Sequence, residues 1–147
     1  MTVDQEQAVR PVIPLPDALT SPFWDGARSH ALVIQRCNNC QRYQHMPEPV
    51  CANCLSFDLG YAQVSGMGTV YSYEIAMQAF HPWFADKLPF AIAVVELQEQ
   101  PNLKMISNLV ESPLDSISVG DHVEVTFTQL DDNFVLPVFR PSAASRT

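Results

Sequence analysis

Basic residues are scarce in this chain of 147 residues: eight lysines and arginines stand against sixteen acids, a formal charge of −8. The shortage is uneven. Residues 1–47 balance four acids with four bases, whereas residues 48–147 set twelve acids against Lys87, Lys104, Arg140 and Arg146 alone. Nucleic acid demands a basic footprint, so the acidic body argues against it as a partner. No apolar run approaches the ~18 residues of a membrane span. The N-terminal stretch MTVDQEQAVR is acidic and lacks the apolar segment of a secretion signal, so a cytoplasmic protein with no membrane partner is expected. Glycines number only five, and none forms a phosphate-cradling G-x-x-x-x-G-K-[ST] loop. No serine sits in a G-x-S-x-G elbow, and no cysteine lies outside residues 37–54.

That last absence frames what is present. Cys37, Cys40, Cys51 and Cys54 form C-x2-C-x10-C-x2-C with no thiol left over. Two residues between paired thiolates let a tight turn aim both sulfurs at one centre, and two such turns complete a tetrahedron with metal–sulfur distances of about 2.3 Å. This is a zinc-ribbon signature, and the expected cofactor is one structural Zn2+. Iron in a rubredoxin-type centre is the rival, since four thiolates suit it as well. A disulfide pair fits poorly with a cytoplasmic chain, and a thioredoxin-like motif would use a single C-x-x-C. His45 is not needed as a fifth ligand, because four thiolates satisfy the ion. A closed site of this kind leaves no open position for chemistry, and no cysteine remains as a nucleophile.

Residues 1–18 are polar and proline-rich and read as an extended arm with too little apolar surface to fold on itself. Thr20-Ser21-Pro22 predicts a helix over 22–29, with Ser21 as N-cap, Pro22 at the first position and Asp25 in the first turn. It presents Trp24, either as a packing anchor or as a contact to a partner. Residues 31–36 read as a strand feeding Cys37. Three arginines and two histidines between Gly26 and Pro47 make a small positive patch, a solvated ribbon face on the simplest reading.

From Gly66 the period becomes two. Thr69, Tyr71, Tyr73, Ile75 and Met77 are expected on one face, with Gly66 and Gly68 allowing a bulge or sharp bend. Residues 90–97 read as a central strand buried on both sides, and 102–110 as a third strand. Residues 111–120 make a longer connection with room for one helical turn. A fourth strand over 121–130 points Val123, Val125 and Phe127 inward, and a turn at 131–133 leads into 134–140. There Pro137 requires an edge or a bend. Five strands with one long connection predict a small Greek-key barrel of the OB type rather than a sandwich. The expected layout is arm and helix over 1–30, ribbon over 31–60, and barrel with a short tail over 61–147.

The loop over 79–90 carries Phe80, His81, Trp83, Phe84 and Phe90. Aromatics that cannot all be buried beneath one strand mark a ligand or partner surface, on which an adenine could stack; the alternative is that Trp83 and Phe84 plug the barrel end. Phe80, His81, Trp83 and Phe84, together with Trp24, are the candidate substrate- or partner-binding residues. Glu74, His81 and His122 are the only conceivable acid–base groups, and for each a solvated surface role is the simpler reading. No catalytic residue is assigned.

The run PFWDGARSHALVIQRCNNCQRYQHMPEPVCANC, followed by GTVYSYEI, HPWFADKLPFAIAVVELQE, NLV, SVGDHVEVTF and LPVFRP, resembles the zinc-ribbon/OB-fold family of acyl-CoA-associated proteins, formerly a domain of unknown function. The resemblance spans about residues 20–141. It implies an accessory subunit of a thiolase-like enzyme, whose barrel helps hold an acyl-CoA while the partner carries the catalytic residues. Where such ribbons often place a glycine after the second cysteine, this chain has Gln41, and Leu55 follows the fourth. Two other function classes compete with that implication: a nucleic-acid-binding ribbon/OB module, which the charge opposes, and a rubredoxin-like electron carrier.

Overall fold

The computed structural model describes residues 9–143. Residues 1–8 of the expected arm and 144–147 of the expected tail lie outside them. Residues 9–17 form no regular structure, and Leu15 among them is 94% exposed. The arm ends in a local turn. The Asp17 carboxylate accepts from the N–H groups of Leu19 and Thr20, while the Asp17 N–H donates to the Thr20 hydroxyl at 2.9 Å. This turn moves the helix start forward by one residue. Helix α1 runs Ser21–Arg28 with Thr20, not Ser21, in the capping position. Asp25 consequently falls outside the first turn, where it pairs with Arg28. Phe23 and Ala27 form its buried face.

Three short antiparallel strands make the ribbon: β1 (Val33–Cys37) lies between β2 (Tyr43–Gln44) and β3 (Leu59–Gln63). Strand β3 runs across residue 60, where barrel and ribbon were expected to meet. Gln35 on β1 is a buried polar residue, 2% exposed, and it is fully employed. Its amide donates to Glu48 O at 2.8 Å and accepts from Glu48 N at 2.9 Å and from Gln44 Nε2 at 2.7 Å. Gln44 in turn donates to Val50 O and accepts from the N–H of Ala52. The two side chains thus satisfy backbone groups of a connection that has no ladder of its own, as buried polar groups require.

The remaining strands are β4 (Met67–Ala76), β5 (Phe90–Leu97), β6 (Lys104–Leu109), β7 (His122–Asp131) and β8 (Phe134–Pro141). They close into a barrel in the order β4-β5-β6-β8-β7, with β7 returning to β4. This is the expected OB arrangement on a mainly β chain with one short helix. The connection over 111–120 holds a single 3₁₀ turn, Leu114–Ser116.

Two expectations for these strands need correction. The plain alternation along 69–78 is broken by a register shift between Val70 and Ser72. Val70, Tyr73 and Ile75 therefore share one face, opposite Val95, Ala93 and Ala91, and the extra residue is Tyr71. Curving a sheet into a small barrel favours such a bulge, which adds twist that a regular strand cannot. Gly66 and Gly68 serve close approach instead. A Cβ on Gly66, whose φ is +78°, would lie 2.2 Å from Val125 Cγ1, and one on Gly68 would lie 2.5 Å from Glu96 O. Strand β5 is not buried on both faces: Ala91, Ala93, Val95 and Leu97 are buried, while the residues between them are half-buried. Pro137 behaves as expected. Strand β8 pairs with β6 only at Leu109 and Phe139, so the missing N–H costs no ladder bond, and the Ser107 hydroxyl donates to Pro137 O at 2.8 Å.

One core joins the parts. Phe23, Leu32, Ile34 and Val64 pack in the same cluster as Val70, Val95, Leu97, Met105, Val123 and Phe139. Each large side chain fully buried there contributes about 1.5–3 kcal/mol. A second tie is polar: the Gln100 side chain both accepts from Tyr43 N (2.9 Å) and donates to Tyr43 O (3.0 Å), fastening β2 to the β5–β6 turn. Replacing Gln35 with Ala removes the partners of the residue 48 N–H and carbonyl and of the Gln44 amide. It is expected to cost about 3 kcal/mol in denaturant unfolding, against less than about 0.5 kcal/mol for the exposed control Gln63→Ala.

Candidate metal centre and the groove beside it

Each cysteine pair sits at a tight turn built by main-chain hydrogen bonds, Gln41 N to Cys37 O (2.9 Å) and Leu55 N to Cys51 O (3.0 Å). Both turns need a residue in the left-handed region. Gln41 (φ 67°) and Leu55 (φ 64°) adopt it without being glycine, at a cost of about 1–2 kcal/mol each. The turns bring the four sulfurs within 4.8 Å of one another. Cys37 and Cys54 Sγ lie 3.7 Å apart, and Cys40 and Cys51 Sγ lie 3.6 Å apart. A tetrahedral thiolate shell with ~2.3 Å bonds has edges of ~3.8 Å, so the geometry fits a four-coordinate ion. Among the described residues no fifth ligand joins the cluster: His45 packs against the Phe23 ring, 5.3 Å between centroids.

The local electrostatics favour thiolate at Cys40 and Cys54 and oppose it at Cys37, whose thiol is raised. The Asn53 side chain and the Arg42 N–H pull the Cys40 thiol down to about 6. The Asn39 amide, 3.4 Å from Cys54 Sγ, and the Ser56 N–H lower Cys54. Donors aimed at sulfur stabilise the anion that a metal needs.

Beside the ribbon, a groove of about 920 Å³ opens between α1, the loop over 45–46 and the flank of the barrel. Its size is that of a small-molecule site. Trp24, Phe80, His81 and Phe84 all line it, so the fold brings the helix and the aromatic loop together at one place. Trp83 lies apart from that lining. Its half-buried ring is covered by Lys87, with Nζ 3.6 Å from the centroid, and the Trp83 main-chain N–H donates to His81 Nδ1. Phe84 and Phe90 pack on one another at 5.3 Å. Trp24 contacts both Phe23 (4.8 Å) and Phe134 (4.7 Å) and so packs and lines at once. Of the three conceivable acid–base groups, Glu74 and His81 line the groove, while His122 pairs with Thr69 away from it. The groove also recruits Met46, Met77, Ile92 and Ile106, which the sequence reading did not single out. Exposure was the missing signal: Met77 and Ile106 are each 73% exposed although they lie in strand-like, apolar stretches.

A rubredoxin-like ribbon whose four cysteines close on one point, sharing a core with a five-stranded OB barrel, defines a two-part class of protein. This chain belongs to the ChsH2 family within it: the model for the ChsH2 rubredoxin-like zinc ribbon matches residues 24–60, and that for the ChsH2 C-terminal OB-fold domain matches 61–128. A chain of the solved Ltp2-ChsH2(DUF35) aldolase superposes with a TM-score of 0.80 at 36% identity, covering 88% of this chain and 98% of that one. Among curated proteins, a probable enoyl-CoA hydratase alpha subunit of Thermomonospora curvata is 40% identical over 121 residues, 82% of this chain. The 3-oxo-4,17-pregnadiene-20-carboxyl-CoA hydratase alpha subunit of Mycobacterium tuberculosis is 31% identical over 125 residues, 80% of this chain. The chain spans less than two-fifths of the length of either hydratase subunit, 37% and 39%. Among the described residues, no helix is long and apolar enough to cross a membrane.

Two outcomes follow. Purified protein should carry one metal per chain with four thiols protected from titration. Cys40→Ser should release the ion and unfold the ribbon, since structural metal supplies on the order of 10 kcal/mol or more; elemental analysis with thiol counting checks this. Burial pushes His45 down to about 4. The unfolded chain then takes the proton first as pH falls, so stability is full above about 6.5 and drains away towards pH 4 by about 3 kcal/mol. Chemical denaturation of His45→Phe should show that much less acid loss than the native chain.

Proposed function

We propose that this protein is a non-catalytic, zinc-binding accessory subunit of a thiolase- or aldolase-type complex acting on acyl-CoA. The observation that carries the reading is the apolar groove where the Trp24 helix meets the aromatic loop. It is a binding surface, and the chain offers it little reactive chemistry. All four cysteines converge on the metal centre, leaving no thiolate to attack a thioester. Support also comes from likeness: the Ltp2-ChsH2(DUF35) aldolase pairs a chain of this shape with a second component, and both hydratase relatives are named as alpha subunits acting on CoA thioesters. In this reading Cys37, Cys40, Cys51 and Cys54 hold Zn2+ as a staple. Trp24, Phe80, His81 and Phe84 meet substrate or partner, and the exposed arm over 9–17 lies on the partner. Trp83 supports the loop from behind.

Alone, the protein should turn over no acyl-CoA by thiolysis, retro-aldol cleavage or hydration. Mixed with a thiolase-like subunit encoded beside it or captured from its own cells, it should form a stable heteromer, and the partner should lose activity without it. Size-exclusion chromatography coupled to a thioester assay reads both. Turnover by the isolated chain, or a chain that ignores every thiolase-like protein of its cell, would refute the proposal. Replacing Trp24 with Ala should weaken assembly or ligand binding by about 2 kcal/mol or more if it is an anchor.

A further inference from the structure

We infer that the groove accepts only the apolar acyl end of a thioester, and that the anionic nucleotide end of such a ligand is held by another polypeptide. The inference rests on the accessory-subunit reading and names the part of the ligand this chain takes. Three observations carry it.

The first is the lining. Phe84, Phe90, Ile75, Ile92, Met105 and Ile106 supply an apolar wall, and the rim carries Phe80 at 91%, Met77 at 73% and Met46 at 59% exposure. Apolar area of this kind is recovered only by covering it with apolar ligand or protein.

The second is charge. Among the described residues, no lysine or arginine lines the groove, and the one carboxylate that does is Glu74. A diphosphate placed there would meet the Glu74 carboxylate, two histidines but no lysine or arginine, and the field of a chain of net charge −8.

The third is that the bases of the helix, loop and barrel are already engaged. Arg28 pairs with Asp25, and Lys87 is held by Asp86, the Trp83 carbonyl and the Trp83 ring. Arg140 lies between Glu111 and Glu124. Lys104 sits over the Tyr71 ring, 3.6 Å from its centroid. Phosphate recognition uses free lysine or bidentate arginine, and the groove presents neither. An adenine stacked on the aromatic loop is disfavoured for the same reason, because its phosphates would follow it into an acidic surface.

The test measures binding of three probes to the full chain by equilibrium dialysis: decanoyl-CoA, S-decanoyl-pantetheine, which lacks the nucleotide, and free CoA. The two decanoyl thioesters should bind within about threefold of each other, insensitive to salt, with no binding of CoA. Phe80→Asp and Ile106→Asp alter exposed side chains that folding does not need. Each should weaken both thioesters by about tenfold, while Lys87→Ala and Lys104→Ala leave them unchanged. Decanoyl-CoA binding more than about tenfold tighter than the pantetheine ester, with loss in salt or in either lysine variant, would place the nucleotide on this chain and overturn the inference. Failure of both thioesters to bind would overturn it too. In either case heteromer formation, measured without ligand, still decides the accessory-subunit reading separately.

Discussion

Strand β1 is the constraint on which the rest depends. In five residues it must pack two neighbours, close a loop and deliver a ligand. Ile34 enters the common core at 1% exposure, as does Leu32 just ahead of it at 2%. Gln35 points the other way and holds the connection over 45–53 through Glu48 and Gln44. Cys37 ends the strand inside the metal cluster. Because a strand alternates its side chains, slipping β1 by one residue would move Ile34 out of the core, Gln35 into it and Cys37 away from its partners together. The metal, the ribbon sheet and the barrel core therefore share one register.

That shared register explains where the groove lies. The ribbon is not tethered to the barrel by a linker: it is fused to it through Phe23, Leu32, Ile34 and Val64, and pinned again by Gln100 on Tyr43. The helix that precedes β1 is thereby held against β8 through Trp24 and Phe134. The 79–90 loop, which joins β4 to β5, lines the same groove. Two elements far apart in sequence become the two banks of one channel. The cost of leaving that channel open is apolar area in water, and a protein built to close it on a ligand or partner would recover that area on binding.

Charge is distributed to match. The barrel half carries nearly all the acidic excess, and most of its few bases are spent on carboxylates and rings within the chain. Charge of this sign is unfavourable to phosphate groups, while an apolar groove is indifferent to it.

Much of this was legible without coordinates. The paired C-x-x-C spacing specified the cluster, because two intervening residues allow little besides a tight turn aiming both sulfurs one way. Period-two runs and Pro137 specified five strands and where one must leave its ladder. Simple rules misled at two points: Asp17 captured the helix start ahead of Ser21, and a bulge at Tyr71 split the residues that plain alternation had put on one face of the strand. The first is a local competition between capping side chains that residue counting does not rank, and the second depends on the strand lying beside β4. The aromatic loop was recognisable as a surface, yet which of its rings faces the groove was not. Trp83 lies apart with Lys87 over its ring, and Trp24 turns in because the core fixes α1. Sequence by itself determined the four-cysteine cluster and the barrel, through spacing and periodicity that act over a few residues. Tertiary structure alone decided the groove, because it is made of the gap between two elements whose distance only the shared core sets.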